Sequence, residues 1–248
     1  MQIKVQKFLE KTAISVGREI ISYKRKKKIK IKKKQKNLKT NIDIIANNMW
    51  IKNIKKRFND ISIISEELKS KEKIKKKWTG FIIDPIDGTR SLYDNFNGYV
   101  TQASFVKNSK IISSVVYNPE TKEMFNDKIK YSKKNHNLNS IIDNYPKPIP
   151  VIKSIIKKLQ IPNYIESGSI GYKICKILDG SCDLFIKLNI IKIWDVAPGL
   201  HLIKKNGGHI TDKFFRKINL NKENINGIIV TMSKKNFKLI KKKYPKGF

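Results

Sequence analysis

The sequence predicts an α/β protein of stacked helical and strand layers. Apolar residues at three- and four-residue steps mark helices in several places, short β-branched runs bounded by turn residues lie between them, and no internal repeat recurs. With 248 residues, 40% of them hydrophobic, the chain can build one large domain or two small ones. The mixed order of elements argues for layers and against a helix bundle or a closed barrel.

Val5, Phe8, Leu9, Thr12, Val16 and Ile20 recur at helical spacing and predict an amphipathic first helix over about residues 3–23. In the following YKRKKKIKIKKKQKN, Ile29 and Ile31 alternate with lysines, so an exposed hairpin or a disordered basic segment over 24–36 fits. Thr40 is placed to cap a second helix whose apolar side is Ile42, Ile45, Ala46, Met49 and Ile54. ISIISEE reads as a strand ending in Glu66-Glu67, and Phe81-Ile82-Ile83 as a buried strand bounded by the turn residues Pro85 and Gly88. GYVTQASFV and KIISSVVYNP read as adjacent strands joined through residues 107–110, with another strand near Glu123–Phe125. Residues 127–150 are polar and hold Pro146, Pro148 and Pro150, which predicts a connection between two halves. Beyond it come a helix over 151–159, a strand at Tyr164-Ile165, a helix after Ser169, a strand at DLFIK and a helix after Trp194-Asp195. Strands at GHITD and NGIIVTM and a final helix capped by Ser233 close the series.

The formal net charge is +34, from 54 basic against 20 acidic residues. Such an excess predicts attraction to polyanions such as nucleic acid or an acidic membrane surface. Lysine, isoleucine and asparagine are raised together in helices, strands and loops, however, whereas a nucleic-acid footprint forms a patch or stripe. Non-specific nucleic-acid contact through the lysine run at 26–34 is therefore a secondary expectation. Cys175 and Cys182 lack a CxxC spacing and are too few for a disulfide framework, which predicts buried thiols in a reducing, cytoplasmic setting. His136, His201 and His209 form no HExxH or other metal-ligating pattern, so solvated or structural roles are expected. The N-terminus lacks an apolar export core of about 7–15 residues, and no run approaches about 18 uninterrupted apolar residues, so neither export nor a membrane span is expected.

The chemistry gathers where this basic chain turns acidic. GFIIDPIDGT, residues 80–89, sets Asp84 and Asp87 three positions apart at the end of an apolar run, while Glu66 ends a strand and Asp195 stands at the start of a helix. Carboxylates clustered without histidine or cysteine suit a hard cation such as Mg2+, which takes oxygen ligands at about 2.1 Å and retains waters. Two such ions can generate a nucleophilic water and stabilise a leaving oxygen in phosphoester cleavage. Pro85 stiffens the turn so that both carboxylates and the Ile86 carbonyl face one point, and the free amides of Gly88 and Thr89 at a helix start can hold an anionic phosphate. Taken alone, D-P-x-D fits a plain turn cap equally well.

DPIDGT at 84–89, SEE ending at Glu67, TNID at 40–43 and WDVAPG at 194–199 followed by NGG at 206–208 resemble the ordered signatures of the inositol monophosphatase superfamily. The resemblance spans residues 40–212 and extends to the opening helix. It implies a layered α/β/α/β/α sandwich forming a single domain over 1–248, with a metal- and phosphate-binding half at 1–145 and a smaller α/β half at 146–248. It also implies a Mg2+-dependent, lithium-sensitive phosphomonoesterase using two or three ions, and it is compatible with a homodimer. By motif position, Glu66, Asp84, the Ile86 carbonyl, Asp87 and Asp195 match the metal ligands. Asp43 and Thr89 match the pair that activates the attacking water, and the Gly88 and Thr89 amides match the phosphate cradle.

Three positions depart from the pattern. Phe81 stands where a tryptophan usually precedes the first aspartate by three, with Trp78 displaced upstream. Pro198 replaces a small alanine, a change that a helix tolerates in its first turn. Asn37 and Lys39 replace an acid and a valine, which predicts a weakened further metal contact.

The expected substrate follows from what surrounds these motifs. Inositol phosphatases of the family carry DGTTNF and a glutamate six residues before the tryptophan of WD; here the first is DGTRSL and the second is Leu188. A basic residue after DGT, a lysine and cysteine after a GS pair, and a basic residue seven before the tryptophan are similar to the 3'(2'),5'-bisphosphate nucleotidase branch. Arg90, Lys173 with Cys175 after Gly168-Ser169, and Lys187 hold those places, with one extra residue between Gly168 and Lys173. Ser169, Arg90, Lys173 and Lys187 are thus the candidate substrate contacts, since cations there would make charge-assisted hydrogen bonds to a second phosphate. Lys173 and Lys187 also fit ordinary solvated lysines of a lysine-rich chain, whereas arginine is scarce and its fork suits phosphate. The expected reaction is removal of the 3'-phosphate from adenosine 3',5'-bisphosphate. An inositol or sugar-phosphate phosphatase is the alternative on the same scaffold, and a basic nucleic-acid-binding protein with a vestigial site is the alternative of another class.

Overall fold

The computed structural model describes residues 2–33, 38–68, 77–128, 130 and 137–248. Helix α1 (Gln2–Arg25) leads through a two-stranded hairpin, β1 (Ile31–Lys33) and β2 (Lys39–Thr40), to α2 (Asn41–Arg57). Of the basic segment 24–36, residues 24–25 end α1 and 31–33 form one strand of a hairpin whose second strand lies beyond the segment at 39–40, while 34–37 lie outside the described residues.

The first sheet has the order β3-β4-β5-β6-β7, built from β3 (Ser62–Ser65), β4 (Gly80–Asp87), β5 (Val100–Lys107), β6 (Lys110–Tyr117) and β7 (Met124–Asn126). β3 and β4 are parallel and the others antiparallel. Every residue of β4 is buried, as its unbroken apolar run requires. β4 does not stop at Ile83: it continues to Asp87, and the register against β5 slips between Asp84 and Asp87. Pro85 and Ile86 form that bulge, which re-aims the two flanking carboxylates.

The second sheet has the order β11-β12-β10-β8-β9. Its strands are β8 (Ser140–Asp143), β9 (Asn163–Glu166), β10 (Leu184–Lys192), β11 (His209–Thr211) and β12 (Asn224–Thr231), with β8, β9 and β10 parallel. β8 lies inside the segment expected to be only a connection, so the division between the sheets falls before Ser140 rather than at 145/146. Four buried residues sufficed for an interior strand despite the prolines that follow.

The layers follow from where the apolar faces point. α1 and α2 cover one face of the first sheet through Val16, Ile20, Trp50 and Ile54 against Phe81, Ile83 and Ala103. α5 (Ile170–Leu178) and α6 (Ile193–Lys205) lie between the sheets, and Ile174, Leu178, Val196 and Leu202 share one core with residues of both. α4 (Pro150–Leu159) and α7 (Lys234–Lys243) cover the far face of the second sheet with Ile152, Ile155 and Ile240. The result is the predicted α/β/α/β/α sandwich. Each fully buried Ile or Phe contributes about 1.5–3 kcal/mol relative to exposure, so these clusters hold the strand ends in register. Phe81, standing in the usual tryptophan position, joins Phe8, Phe58 and Phe105 in an aromatic cluster on the α1 and α2 side.

Two expectations change at α6. The helix starts at Ile193 rather than after Asp195, so Asp195 lies in its first turn and Pro198 sits inside the helix, past the first turn. Cys175 and Cys182 are buried free thiols, both with pKa values raised by burial. His201 has a structural place, its Nε2 3.0 Å from an Asp127 oxygen, whereas His136 lies outside the described residues. No described helix is long and apolar enough to cross a membrane.

Candidate active site

The parallel register of β3 and β4 sets Ser65 opposite Ile83, so the next residue of each strand, Glu66 and Asp84, emerges at the same edge of the sheet. Asp87 follows after the bulge. Asp195 arrives from the other half, because α6 starts directly where β10 ends and runs between the sheets. The four acids feel one another: repulsion from Asp87 and Glu66 acts on Asp195, and repulsion from Glu66, Asp87 and Asp195 acts on Asp84. Burial, with these charges added, holds Asp84 and Asp195 well above the usual carboxylate range. Asp87 is raised to about 6, mainly by burial, and the amides of Gly171 and Ile170, at 2.5 and 3.4 Å, moderate it. Glu66 lies at the rim with its side chain open to solvent on one side. Withdrawal from bulk water, then repulsion from Glu67, Asp87 and Asp43, pushes it up to about 8, and its open side leaves room for water or a cation to relieve that shift.

Both Asp84 oxygens are buried without an N–H or hydroxyl donor; the neighbour at hydrogen-bonding reach is another acid, Glu66. Buried carboxylates with acidic neighbours and no donors are costly unless a cation neutralises them. The donor set, all oxygen, fits Mg2+. Among the described residues these side chains do not form a closed cage of three or more ligands. Mg2+ is commonly bound through one or two carboxylates with the rest of its shell supplied by water and phosphate, so a closed cage is not required.

Asp43 and Thr89 meet across 46 residues of sequence. Thr89 Oγ1 donates to Asp43 Oδ1 at 2.8 Å, while Thr40 donates to Asp43 Oδ2 through both its amide (2.7 Å) and its hydroxyl (2.6 Å). Burial raises the Asp43 pKa against these three bonds. With its proton directed to Asp43, Thr89 presents an oxygen lone pair to whatever lies in front of it. Gly88 takes the left-handed conformation, φ 93°, and opens α3 (Thr89–Tyr93); a Cβ there would press within 3.0 Å of the Ser169 side chain. Gly88 thus allows the turn and the close approach of α5.

The proposed substrate contacts are divided. Arg90 is exposed on α3, its Nε 3.7 Å from Asp94. Ser169 is buried at the start of α5, where its hydroxyl caps the Tyr172 amide and its own amide bonds to the Gly98 carbonyl at 2.7 Å. Lys187 is partly exposed and reaches the Asn144 carboxamide at 3.3 Å. Lys173 is no solvated lysine: it is 1% exposed, its ammonium bonds to the Gly168 carbonyl and lies 3.4 Å from that of Ser167. Burial lowers its pKa to about 7, with Asp143 and Asp87 acting against the shift. Lys39, in the departed loop position, pairs with Glu67, while Asn37 lies outside the described residues.

One residue of the site was not singled out in the sequence. Gln102, fully buried on β5, directs its amide to Asp87 Oδ2 (3.2 Å) and to the carbonyls of Trp194 (3.2 Å) and Asp195 (3.4 Å). A glutamine inside the apolar alternation of YVTQASFV was the available signal.

Five alternating layers around clustered carboxyls, with a Thr–Asp pair and a left-handed glycine beside them, define a phosphatase scaffold. The chain belongs to the inositol monophosphatase family, whose sequence pattern matches residues 1–244. That family includes metal-dependent phosphatases. The chain is 22% identical over 202 residues to the Nus factor SuhB of Xylella fastidiosa, covering 73% of this chain and 71% of the relative. It is 25% identical over 185 residues to a 3'(2'),5'-bisphosphate nucleotidase CysQ of Buchnera aphidicola, covering 69% of each. It is 28% identical over 210 residues to a fructose-1,6-bisphosphatase/inositol-1-monophosphatase of Thermotoga maritima, covering 78% and 80%. The extragenic suppressor protein suhB of Bartonella henselae shares the fold, with a TM-score of 0.82 at 20% identity over 99% of this chain and 100% of that one.

Proposed function

We propose that the protein is a Mg2+-dependent phosphomonoesterase that removes the 3'-phosphate from adenosine 3',5'-bisphosphate. The observation that carries the reading is the Thr89–Asp43 hydrogen bond of 2.8 Å together with Asp84, a buried acid of the same cluster that lacks a donor. Glu66, Asp84, the Ile86 carbonyl, Asp87 and Asp195 would hold two or three Mg2+ ions. When bound, these would lower the pKa of water and offset charge on the phosphate and the leaving oxygen. Thr89 accepts a hydrogen bond from the attacking water and relays the proton toward Asp43, whose raised pKa suits it to receive one. The Gly88 and Thr89 amides hold the phosphate oxygens in line with that water.

Arg90 supports the nucleotide reading, because an exposed guanidinium next to the phosphate cradle suits a second phosphate, and Leu188 offers no acceptor to inositol hydroxyls. Lys187 is the second cation available to that phosphate. Lys173, being buried, would act through the Ser167-Gly168 turn rather than by direct contact. The likeness to the Thermotoga maritima enzyme favours an inositol or sugar-phosphate phosphatase as the second reading.

Phosphate release from adenosine 3',5'-bisphosphate, inositol 1-phosphate and fructose 1,6-bisphosphate, each with and without Mg2+, tests both. The expected result is Mg2+-dependent turnover with kcat/KM at least about tenfold higher on the nucleotide, worth about 1.4 kcal/mol of transition-state discrimination. Comparable values on all three would remove the nucleotide preference, and no turnover on any would remove the enzyme.

A further inference from the structure

A cavity of about 1020 Å³ opens beside the C-terminal turns of α1, bounded by that helix, by Asn95 and by the segment from Tyr117 to Met124. None of its lining residues belongs to the acidic cluster or the Thr89–Asp43 pair. Its apolar and aromatic lining, or floor, comes from Ile14, Ile21, Tyr117, Pro119 and Met124, and its charged lining, or wall, from five cations, Arg18, Lys24, Arg25, Lys26 and Lys122, with one acid, Glu120. The floor is shaped by Gly17, where a Cβ would fall 2.6 Å from the Tyr117 ring, so the missing side chain lets that ring lie against the helix.

Bulk lysine enrichment does not account for this wall. The chain has five arginines among its 54 basic residues, and two of them, Arg18 and Arg25, line the cavity seven positions apart, two turns along one side of α1. Interaction with the helix dipole explains a cation at position 25 but not one at 18 or 122. Among the described residues, Arg18, Arg25, Lys26 and Lys122 form no contact ion pair, although Arg25 is near enough to Glu120 to help lower its pKa, and Lys24 is engaged with Glu120 at 2.6 Å. Glu120 also accepts from the Tyr99 hydroxyl at 2.5 Å, and the Tyr99 backbone lies beside Gly88, where an added Cβ would fall 3.3 Å from the Tyr99 Cα, so one residue joins the wall of this cavity to the phosphate turn.

We propose that this cavity is a second anion site, separate from the catalytic cleft, for a phosphorylated small molecule with an aromatic or apolar body. Arg18 and Arg25 grip the phosphate groups by charge-assisted hydrogen bonds, Lys26 and Lys122 add attraction, and Tyr117, Pro119 and Met124 receive the body. The volume is that of a small-molecule pocket.

Equilibrium dialysis of ATP and of pyrophosphate against the full chain, in EDTA and at about 0.15 M salt, tests the site without catalytic metal. The expected result is one saturable ATP site, at least about fivefold tighter than pyrophosphate because the body is also bound. Arg18→Gln with Arg25→Gln weakens ATP at least about tenfold, while Lys55→Gln with Lys56→Gln, an equal charge loss on exposed α2 residues, changes it less than about twofold. The thermal midpoints of both double variants stay within about 3 °C of the parent, as expected for surface changes. Equal weakening by the two pairs would reduce the effect to bulk charge, and absence of saturable ATP binding would remove the site. Weakening by Arg90→Ala in place of the arginine pair would put the anion in the catalytic cleft, and pyrophosphate binding as tight as ATP would overturn the role of the floor.

Discussion

Gln102 donates a hydrogen bond of 3.2 Å to the carbonyl of Trp194, the one carbonyl of α6 that Pro198 cannot reach. In an unbroken helix the amide of residue 198 would bond to the carbonyl of residue 194, and proline has no amide hydrogen to give. The same glutamine amide reaches Asp87 at 3.2 Å. A defect in α6 is thereby turned into a link between the segments that carry Asp87 and Asp195. Gln102→Met leaves the Trp194 carbonyl and Asp87 short of a donor, and stability should fall by about 2–3 kcal/mol. Pro198→Ala restores a helix bond, so the same Gln102→Met change in that background should cost at least about 1 kcal/mol less. Urea unfolding of the four proteins checks this, and equal costs in both backgrounds would break the link.

Asp43→Asn keeps the shape of the side chain but removes the proton acceptor behind Thr89. Thr89→Ala removes the hydroxyl itself. Each should lower kcat by about 10²–10⁴-fold, the range of positioned acid–base groups, with a smaller change in KM. Because the two act as a unit, the double variant should be little worse than the singles. Multiplicative losses, read in steady-state kinetics on whichever phosphate ester turns over fastest, would show that Thr89 and Asp43 act independently.

Arg90→Ala should reduce kcat/KM on adenosine 3',5'-bisphosphate by at least about tenfold while leaving a monophosphate within about threefold, since only the former carries a second phosphate for the guanidinium. Equal losses on the two substrates would leave Arg90 without a part in specificity.

Most of the candidate site is legible in the sequence because its residues have a type that conflicts with their surroundings. Asp84 and Asp87 interrupt an apolar strand, Glu66 ends one, and Gly88 marks a left-handed turn. Helix α1 is legible from the three- and four-residue spacing of its apolar positions, and α7 from the capping Ser233. What is not legible depends on packing between distant segments. β8 has four residues set before a proline-rich stretch, too short for alternation to register. The start of α6 follows directly on β10, with Lys192 rather than a usual capping residue before it, so Pro198 reads as closer to the helix start than it is. Gln102 gains its role only when β5 meets α6, and Lys173 is drawn into the core by the turn at Ser167-Gly168.

Lys173 and Lys187 separate a buried lysine from a solvent-facing one. The Lys173 ammonium satisfies two carbonyls and faces the Asp143 and Asp87 charges. Lys173→Met should cost about 3 kcal/mol, because those groups stay buried without their cation. Lys187→Met, at a partly exposed position, should stay within about 0.5 kcal/mol. Unfolding free energies of the two variants decide it, and a neutral Lys173→Met would show that its burial carries no structural weight.

The acidic cluster makes the stability of the metal-free protein fall with rising pH. Asp87 goes from an ordinary 3.8 to about 6 and Glu66 from 4.5 to about 8, with Asp84 and Asp195 also raised. Below about pH 3 both folded and unfolded chains hold these protons and no penalty arises. From about pH 4 upward the folded chain binds more protons than the unfolded one, so each step favours unfolding; Asp87 contributes up to and somewhat beyond about pH 6 and Glu66 up to and somewhat beyond about pH 8, with Asp84 and Asp195 acting in the same direction. A divalent ion binds the deprotonated acids and offsets their repulsion, so its effect should grow over the same interval. Thermal midpoints taken in EDTA and in Mg2+ should therefore nearly coincide at pH 5 and differ by several degrees at pH 8.5, and Asp84→Asn should shrink that difference. A Mg2+ shift of the same size at both pH values, or one untouched by Asp84→Asn, would mean that the ion acts elsewhere on the protein.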